Sequence, residues 1–365
     1  MKISKKIIAL LMSMVMCLGL VGCDSSTGYS DEKNKYKLTV MTTLFPYYDF
    51  VRAVVGDVSD VHVELLVAPG QDDHSFEPTP SDIIKIDDAD LFIYNGGSIE
   101  NWVEEVVGSL ENKSQVQMKM MDYLDETEKG KILQESKQAE SAAETSRSET
   151  ERIFAEEDHG EHVHTGEENN KEPVDDGHSE HGEDKHNHEK EVDEHIWTSP
   201  VYSMILVQNI CDKLCEIMPE KRSVFQKNTE DYVNQLKTVD YEFRDIVQKS
   251  EHKEMIFADK FPLKYFAEEY GLKYYAAFPG CSGDTEPSAK TVAFLIDKVK
   301  DKDVNGVFYL ELSSQAMADV ICDDTNVKKY QFNSCHNITQ KQFDSGVTYI
   351  DLMRENVKVL KSALN

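Results

Sequence analysis

Residues 61–97 read VHVELLVAPGQDDHSFEPTPSDIIKIDDADLFIYNGG. An apolar, β-branched run (VHVELLVA) is followed by a loop rich in Pro and Gly. Next comes a short helical pattern opened by Ser81, and then a second apolar run closed by Gly96 and Gly97. Near-continuous apolar strands alternating with helices point to a mainly parallel sheet covered on both faces. The loop leaving the first strand carries His74 among Asp72, Asp73 and Glu77. Ligands of open α/β sheets sit outside the carboxyl ends of the strands, so this loop is a candidate site. A lone loop histidine is most often just a polar surface residue; here nearby carboxylates could orient the imidazole, with Glu77 among them.

The alternation extends both ways. YKLTVMTT (36–43) reads as a strand, PYYDFVRAVVGD (46–57) as a helix, SIENWVEEVVGSL (98–110) as a helix and VQMKMMD (116–122) as a strand. A second series begins at KEMIFADK (253–260) and ends in the helical DSGVTYIDLMRENVKVLKSAL (344–364). Residues 199–250 between the two series read as helix, with a stripe of Val224, Phe225, Tyr232, Leu236, Val239, Phe243 and Ile246. The expected fold is therefore α/β: two similar lobes with mainly parallel sheets, joined by a long rigid helix, with a site in the interlobe cleft. The expected boundaries are 36–220 for the first lobe, 221–250 for the linking helix and 251–365 for the second lobe.

Residues 125–194 break the pattern. They hold 24 acidic against 8 basic residues and so carry most of the net charge of −29. Such a composition suits a solvated, disordered insertion and argues against nucleic acid as a partner. Eight of the 12 histidines fall between His159 and His195. His159, His162, His164, His178, His181, His186 and His188 have no framework around them, so their expected role is weak, plural, rapidly exchanging Zn2+ binding beside a tighter site. A solubility spacer is the plainer alternative.

Lys2, Lys5 and Lys6 precede a short apolar stretch that ends in LVGC, Leu20 to Cys23. This resembles the lipobox of bacterial lipoproteins, in which the signal (1–23) is cut before a cysteine that carries lipid. The resemblance implies lipidation at Cys23, a flexible tether over 24–35, and anchorage to the outer face of the cytoplasmic membrane. Beyond Cys23 lie Cys211, Cys215, Cys281, Cys322 and Cys335, an odd number. Cys211 and Cys215, four apart on a helix, are expected to be buried small hydrophobes.

Two motifs carry a further resemblance. PGQDDHSFEPTPSDI (69–83) and DEHIWTSP (193–200) are similar to signatures of the cluster A-I solute-binding proteins, the zinc and manganese receptors of bacterial ABC transporters. The family resemblance implies His74 and His195 as the first two metal ligands, and zinc-type members also carry a His-rich acidic insertion before the second. It implies a third ligand after the first strand of the second lobe, where this chain reads FADKF; Asp259 is a hard oxygen donor, whereas a protonated Lys260 cannot ligate. Asp259 could equally pair with Lys260. The fourth ligand falls in NSCHNITQ (333–340), at His336. A structural role for His336, sulfur ligation by Cys335 and a Cys335–Cys281 disulfide remain open.

Three imidazoles and an oxygen suit Zn2+, with Mn2+ or Fe2+ as alternatives. The resemblance implies a monomeric receptor that delivers zinc to a membrane permease with its cytoplasmic ATPase, and no enzymatic activity. A metal-dependent adhesin could share the scaffold. A zinc hydrolase is the less favoured alternative, because no H-E-x-x-H occurs.

Overall fold

The computed structural model describes residues 36–124, 193–280 and 288–365. Cys23, Cys281 and the seven histidines from His159 to His188 lie outside them.

The first lobe is built from β1 (Leu38–Thr42), α1 (Phe45–Val55), β2 (Val61–Leu65), α2 (Pro80–Asp88), β3 (Leu91–Tyr94), α3 (Asn101–Ser109) and β4 (Val116–Lys119). All its strand pairs are parallel, in the order β2-β1-β3-β4. Helices α4 (Pro200–Ile217) and α5 (Arg222–Lys249) follow. The second lobe repeats the plan with β5 (Glu254–Phe261), α6 (Lys264–Tyr270), β6 (Lys273–Pro279), α7 (Ala289–Lys302), β7 (Gly306–Leu310), α8 (Ala316–Thr325) and β8 (Lys328–Phe332). Its order is β6-β5-β7-β8, again parallel. A short α9 (Gln340–Asp344) and α10 (Tyr349–Leu364) complete the described residues.

Each sheet is covered on both faces, as the apolar strands require. Leu38 and Val40 of β1 face a large shared core, while the alternate Met41 joins a separate cluster under α2 and α3. Phe308 of β7 faces the same shared core, and Val307 faces a cluster under α7 and α8. The shared core is filled by α4, α5 and α10.

Helix α5 is a spine embedded in that core. Its Phe225, Leu236, Val239 and Phe243 are wholly buried, each contributing about 1.5–3 kcal/mol of transfer free energy. Its exposed ion pairs, Lys227–Asp231 and Lys249–Asp245, contribute far less, because solvent screens them. Apolar packing therefore decides where α5 lies. Polar bonds fix its two halves to different lobes. Tyr232 Oη donates to Asp49 of α1 (2.8 Å), and Arg244 reaches Glu269 of α6 (2.6 Å).

Three local expectations are corrected. Helix α2 is capped by Thr79, in a reciprocal box with Asp82, because Pro80 fits the first helical position and displaces the cap ahead of Ser81. Val224 is 41% exposed, since the stripe on α5 begins at Phe225. The closing helix starts only at Tyr349: Gly346 has φ +74° and Thr348 caps a new helix, so the chain turns between α9 and α10. Among the described residues no helix is long and apolar enough to cross a membrane.

Candidate metal centre

The loops after β2 and β8 and the segment leading into α4 converge at the carboxyl ends of both sheets. They bring together three imidazoles from distant parts of the chain. The ring centroids of His74 and His336 lie 5.3 Å apart, those of His74 and His195 5.8 Å, and those of His195 and His336 6.0 Å. Ligand atoms of Asp73, His74 and His336 all lie within 4.8 Å of one another.

His74 is held by its neighbours. Its backbone N–H donates to Asp72 (3.1 Å), forming a tight Asx turn. Its Nδ1 lies 3.3 Å from Asp73 and 3.5 Å from Asp72. Carboxylates on Nδ1 fix the proton there and leave the Nε2 lone pair for a metal. Nε2 is buried and has no hydrogen-bond partner.

His195 repeats this arrangement. Asp193 accepts from its backbone N–H (3.0 Å) and holds its Nδ1 at 3.2 Å, while Nε2 is buried without a partner. Burial pulls this imidazole below its ordinary pKa, which keeps it neutral. The segment before it is clamped: Glu194 accepts the N–H groups of Ser98 and Ile99, and Asn95 donates to the Glu194 carbonyl (3.0 Å). Gly97, at φ +86°, makes this possible, because a Cβ there would lie 2.5 Å from the Glu194 carboxyl carbon.

His336 comes from the second lobe, two residues past the structured turn at Ser334. Glu311, just beyond β7, accepts from Ser334 N (2.7 Å), Ser334 Oγ (2.6 Å) and Cys335 N (2.9 Å). That clamp holds Cys335 at φ +63°. Trp197 Nε1 donates to the Ser334 carbonyl (2.9 Å), tying the turn to the segment that bears His195. His336 Nε2 lies 2.5 Å from Asp73 Oδ1. Burial opposes charging of His336, but Asp73 outweighs it and lifts the imidazole above its ordinary pKa. Burial alone would raise the Asp73 carboxyl; the two imidazoles hold it well below the usual carboxylate range.

The structure thus gathers His74, His195 and His336; Asp259 lines the same cavity as His74 and His336 but is not among the ligand atoms that lie within 4.8 Å of one another. A one-residue bulge interrupts the β5–β6 register between Phe257 and Lys260, and bulges re-aim side chains. Asp259 there accepts from the N–H groups of Lys260 (2.8 Å) and Leu310 (3.1 Å) and from the Ser313 hydroxyl. It staples the bulge to the loop after β7. Glu77 is exposed, and the carboxylates that reach His74 are instead Asp72 and Asp73. Cys335 is buried with its sulfur 3.7 Å from the Asn333 carbonyl, inside the shared core. Pattern reading named Asp73 only among the acids that could orient His74, and it gave Asp193 and Glu311 no role. Asp73 and Asp193 were legible as acids one and two residues ahead of a histidine.

The chain is similar to known proteins over most of its length. A family model described as zinc-uptake complex component A, periplasmic, matches residues 40–363. The zinc-binding lipoprotein AdcA of Streptococcus pneumoniae is 30% identical over 98% of this chain, which spans only 60% of that relative's length. The high-affinity zinc uptake system protein ZnuA of Bacillus subtilis is 30% identical, with 94% of this chain matched to 92% of that relative. The crystal structure of the Zn(II)-bound ZnuA-like domain of Streptococcus pneumoniae AdcA superposes with a TM-score of 0.63 at 27% identity, covering 90% of this chain and 99% of that one.

Proposed function

We propose, from the premise that this chain belongs to the family of periplasmic zinc-uptake components, that it is an extracytoplasmic receptor binding one Zn2+ between its lobes. It hands the ion to an ABC permease driven by a cytoplasmic ATPase, and it performs no catalysis. The observation that carries this reading concerns His74 Nε2, His195 Nε2 and Asp73 Oδ2, atoms of side chains that adjoin at the site. All three are buried donor atoms without a hydrogen-bond partner. Leaving such atoms unpaired costs about 1–3 kcal/mol each, a cost that a bound cation removes.

In this reading His74, His195 and His336 supply three nitrogens and Asp73 the oxygen, a donor set that suits zinc better than Mn2+ or Fe2+. Asp259, the oxygen expected from sequence, keeps its stapling role. Zinc bonds of about 2.0–2.1 Å would place tetrahedral ligands about 3.3 Å apart. Ligand atoms of Asp73, His74 and His336, which lie within 4.8 Å of one another, therefore have to draw together with that of His195, and His336 exchanges Asp73 for the metal. Because that residue belongs to the second lobe, loading pulls the lobes together, and the spine α5 limits how far they travel.

The lobe boundaries at 220 and 250, the lipid anchor at Cys23, the monomeric state and the accessory role of the histidines between His159 and His188 belong to the same proposal. Calorimetric titration of zinc into the chain lacking residues 1–23, beside a version also lacking 159–188, tests it. The expected result is one tight site that survives the deletion and disappears in His74→Ala. Loss of the tight site with the deletion would overturn the assignment to the three imidazoles.

A further inference from the structure

The metal centre opens into a cavity of about 660 Å3, lined from the first lobe by Asp73 and His74 and from the second by Lys260, Ser313, His336 and Asn337. A bare ion does not fill such space before the lobes draw together. The volume lies within the range of small-molecule sites, about 300–1,000 Å3.

The polar lining is unequal in what it has left to offer. Asp259 is spent on the bulge and Ser313, and Glu311 on the turn at Ser334, while Asp73 keeps one oxygen for the metal. Lys260 lines the same cavity and forms no ion pair among the described residues. A lysine facing the same cavity as a dication is unfavourable by charge alone. It becomes favourable when an anion lies between the two, bonded to both.

We propose that the cavity receives zinc together with a small carboxylate-bearing chelator, one carboxylate of which bridges the metal and Lys260. The co-ligand adds to the imidazoles and Asp73 as a fifth donor, a coordination number zinc accepts. The rest of the chelator fills the cavity towards Ser313 and Asn337. This rests on the zinc-receptor reading and specifies the form in which the metal arrives.

The test uses citrate as the probe, titrated into the zinc-loaded chain lacking residues 1–23, with metal content measured after gel filtration. Zinc uptake without citrate is measured first on the same samples. Citrate is expected to bind one-to-one without stripping the metal, about tenfold more weakly to Lys260→Gln, and with near-native affinity to Lys260→Arg. Ethylenediamine, which chelates without a carboxylate, is expected to be indifferent to residue 260. Absence of citrate binding, loss of zinc to citrate, or equal binding by Lys260→Gln would each overturn the proposal. A chain that takes up no zinc in the first titration fails the receptor reading itself, whereas one that holds zinc but no citrate fails only this inference.

Discussion

Asp73 Oδ1 and His336 Nε2 lie 2.5 Å apart although 263 positions separate the two residues in the chain. The bond crosses between lobes and joins a carboxylate to an imidazole that zinc would claim. Without metal it is a latch, and its removal has two separable consequences. Asp73→Asn keeps the shape but loses the charge, so metal-free stability should fall by about 1–3 kcal/mol at pH 6. Zinc affinity should fall at least tenfold, as the oxygen donor is weakened. Denaturant titration and calorimetry check the two arms; an unchanged zinc affinity would remove Asp73 from the ligand set.

The same pair sets opposite pH trends. His336 has a raised pKa, so its contribution is fully present below the unfolded value of about 6.5 and is lost as pH climbs through the folded one. Asp73 has a lowered pKa, so its contribution is present above about 3.9 and is lost as pH falls through its folded value. The latch is therefore strongest between about pH 4 and 6.5. Metal-free melting temperature should decline from pH 6 to pH 8, while zinc affinity rises over that range because a protonated imidazole cannot ligate. Asp73→Asn should flatten the first trend.

Asp193 holds His195 through its ring nitrogen and its backbone together. Asp193→Ala leaves the ligand in place but frees its tautomer and rotation. Loss of such a partner typically costs about 10–100-fold in metal affinity. Titration of the variant, with circular dichroism to show an intact fold, gives the measurement.

Asp259 supplies the contrast. As a staple of the bulge rather than a ligand, Asp259→Ala should lower stability by about 1–3 kcal/mol and leave zinc affinity within about threefold of the parent. A loss as large as that of His74→Ala would restore Asp259 as a ligand.

Much of the lobe plan is legible in the sequence. Alternating apolar strands and helices, the crevice position of loops after strands, and two histidine motifs placed His74 and His195 at strand and helix edges. The acids that aim them were legible only as neighbours, since a run such as DDH does not say which carboxylate turns inward. Asp73 does so, at 3% exposure, and Asp72 does not.

Sequence by itself determined the periodicities, and with them the elements, the parallel sheets and the polar loops at their ends, because burial on both faces leaves a strand no choice of residue type. Tertiary structure decided what one strand position cannot show: that a single-residue bulge turns Asp259 towards Ser313, and that Glu311 clamps the turn that delivers His336. Both depend on contacts between segments far apart in the chain, whose register is fixed only when the lobes pack.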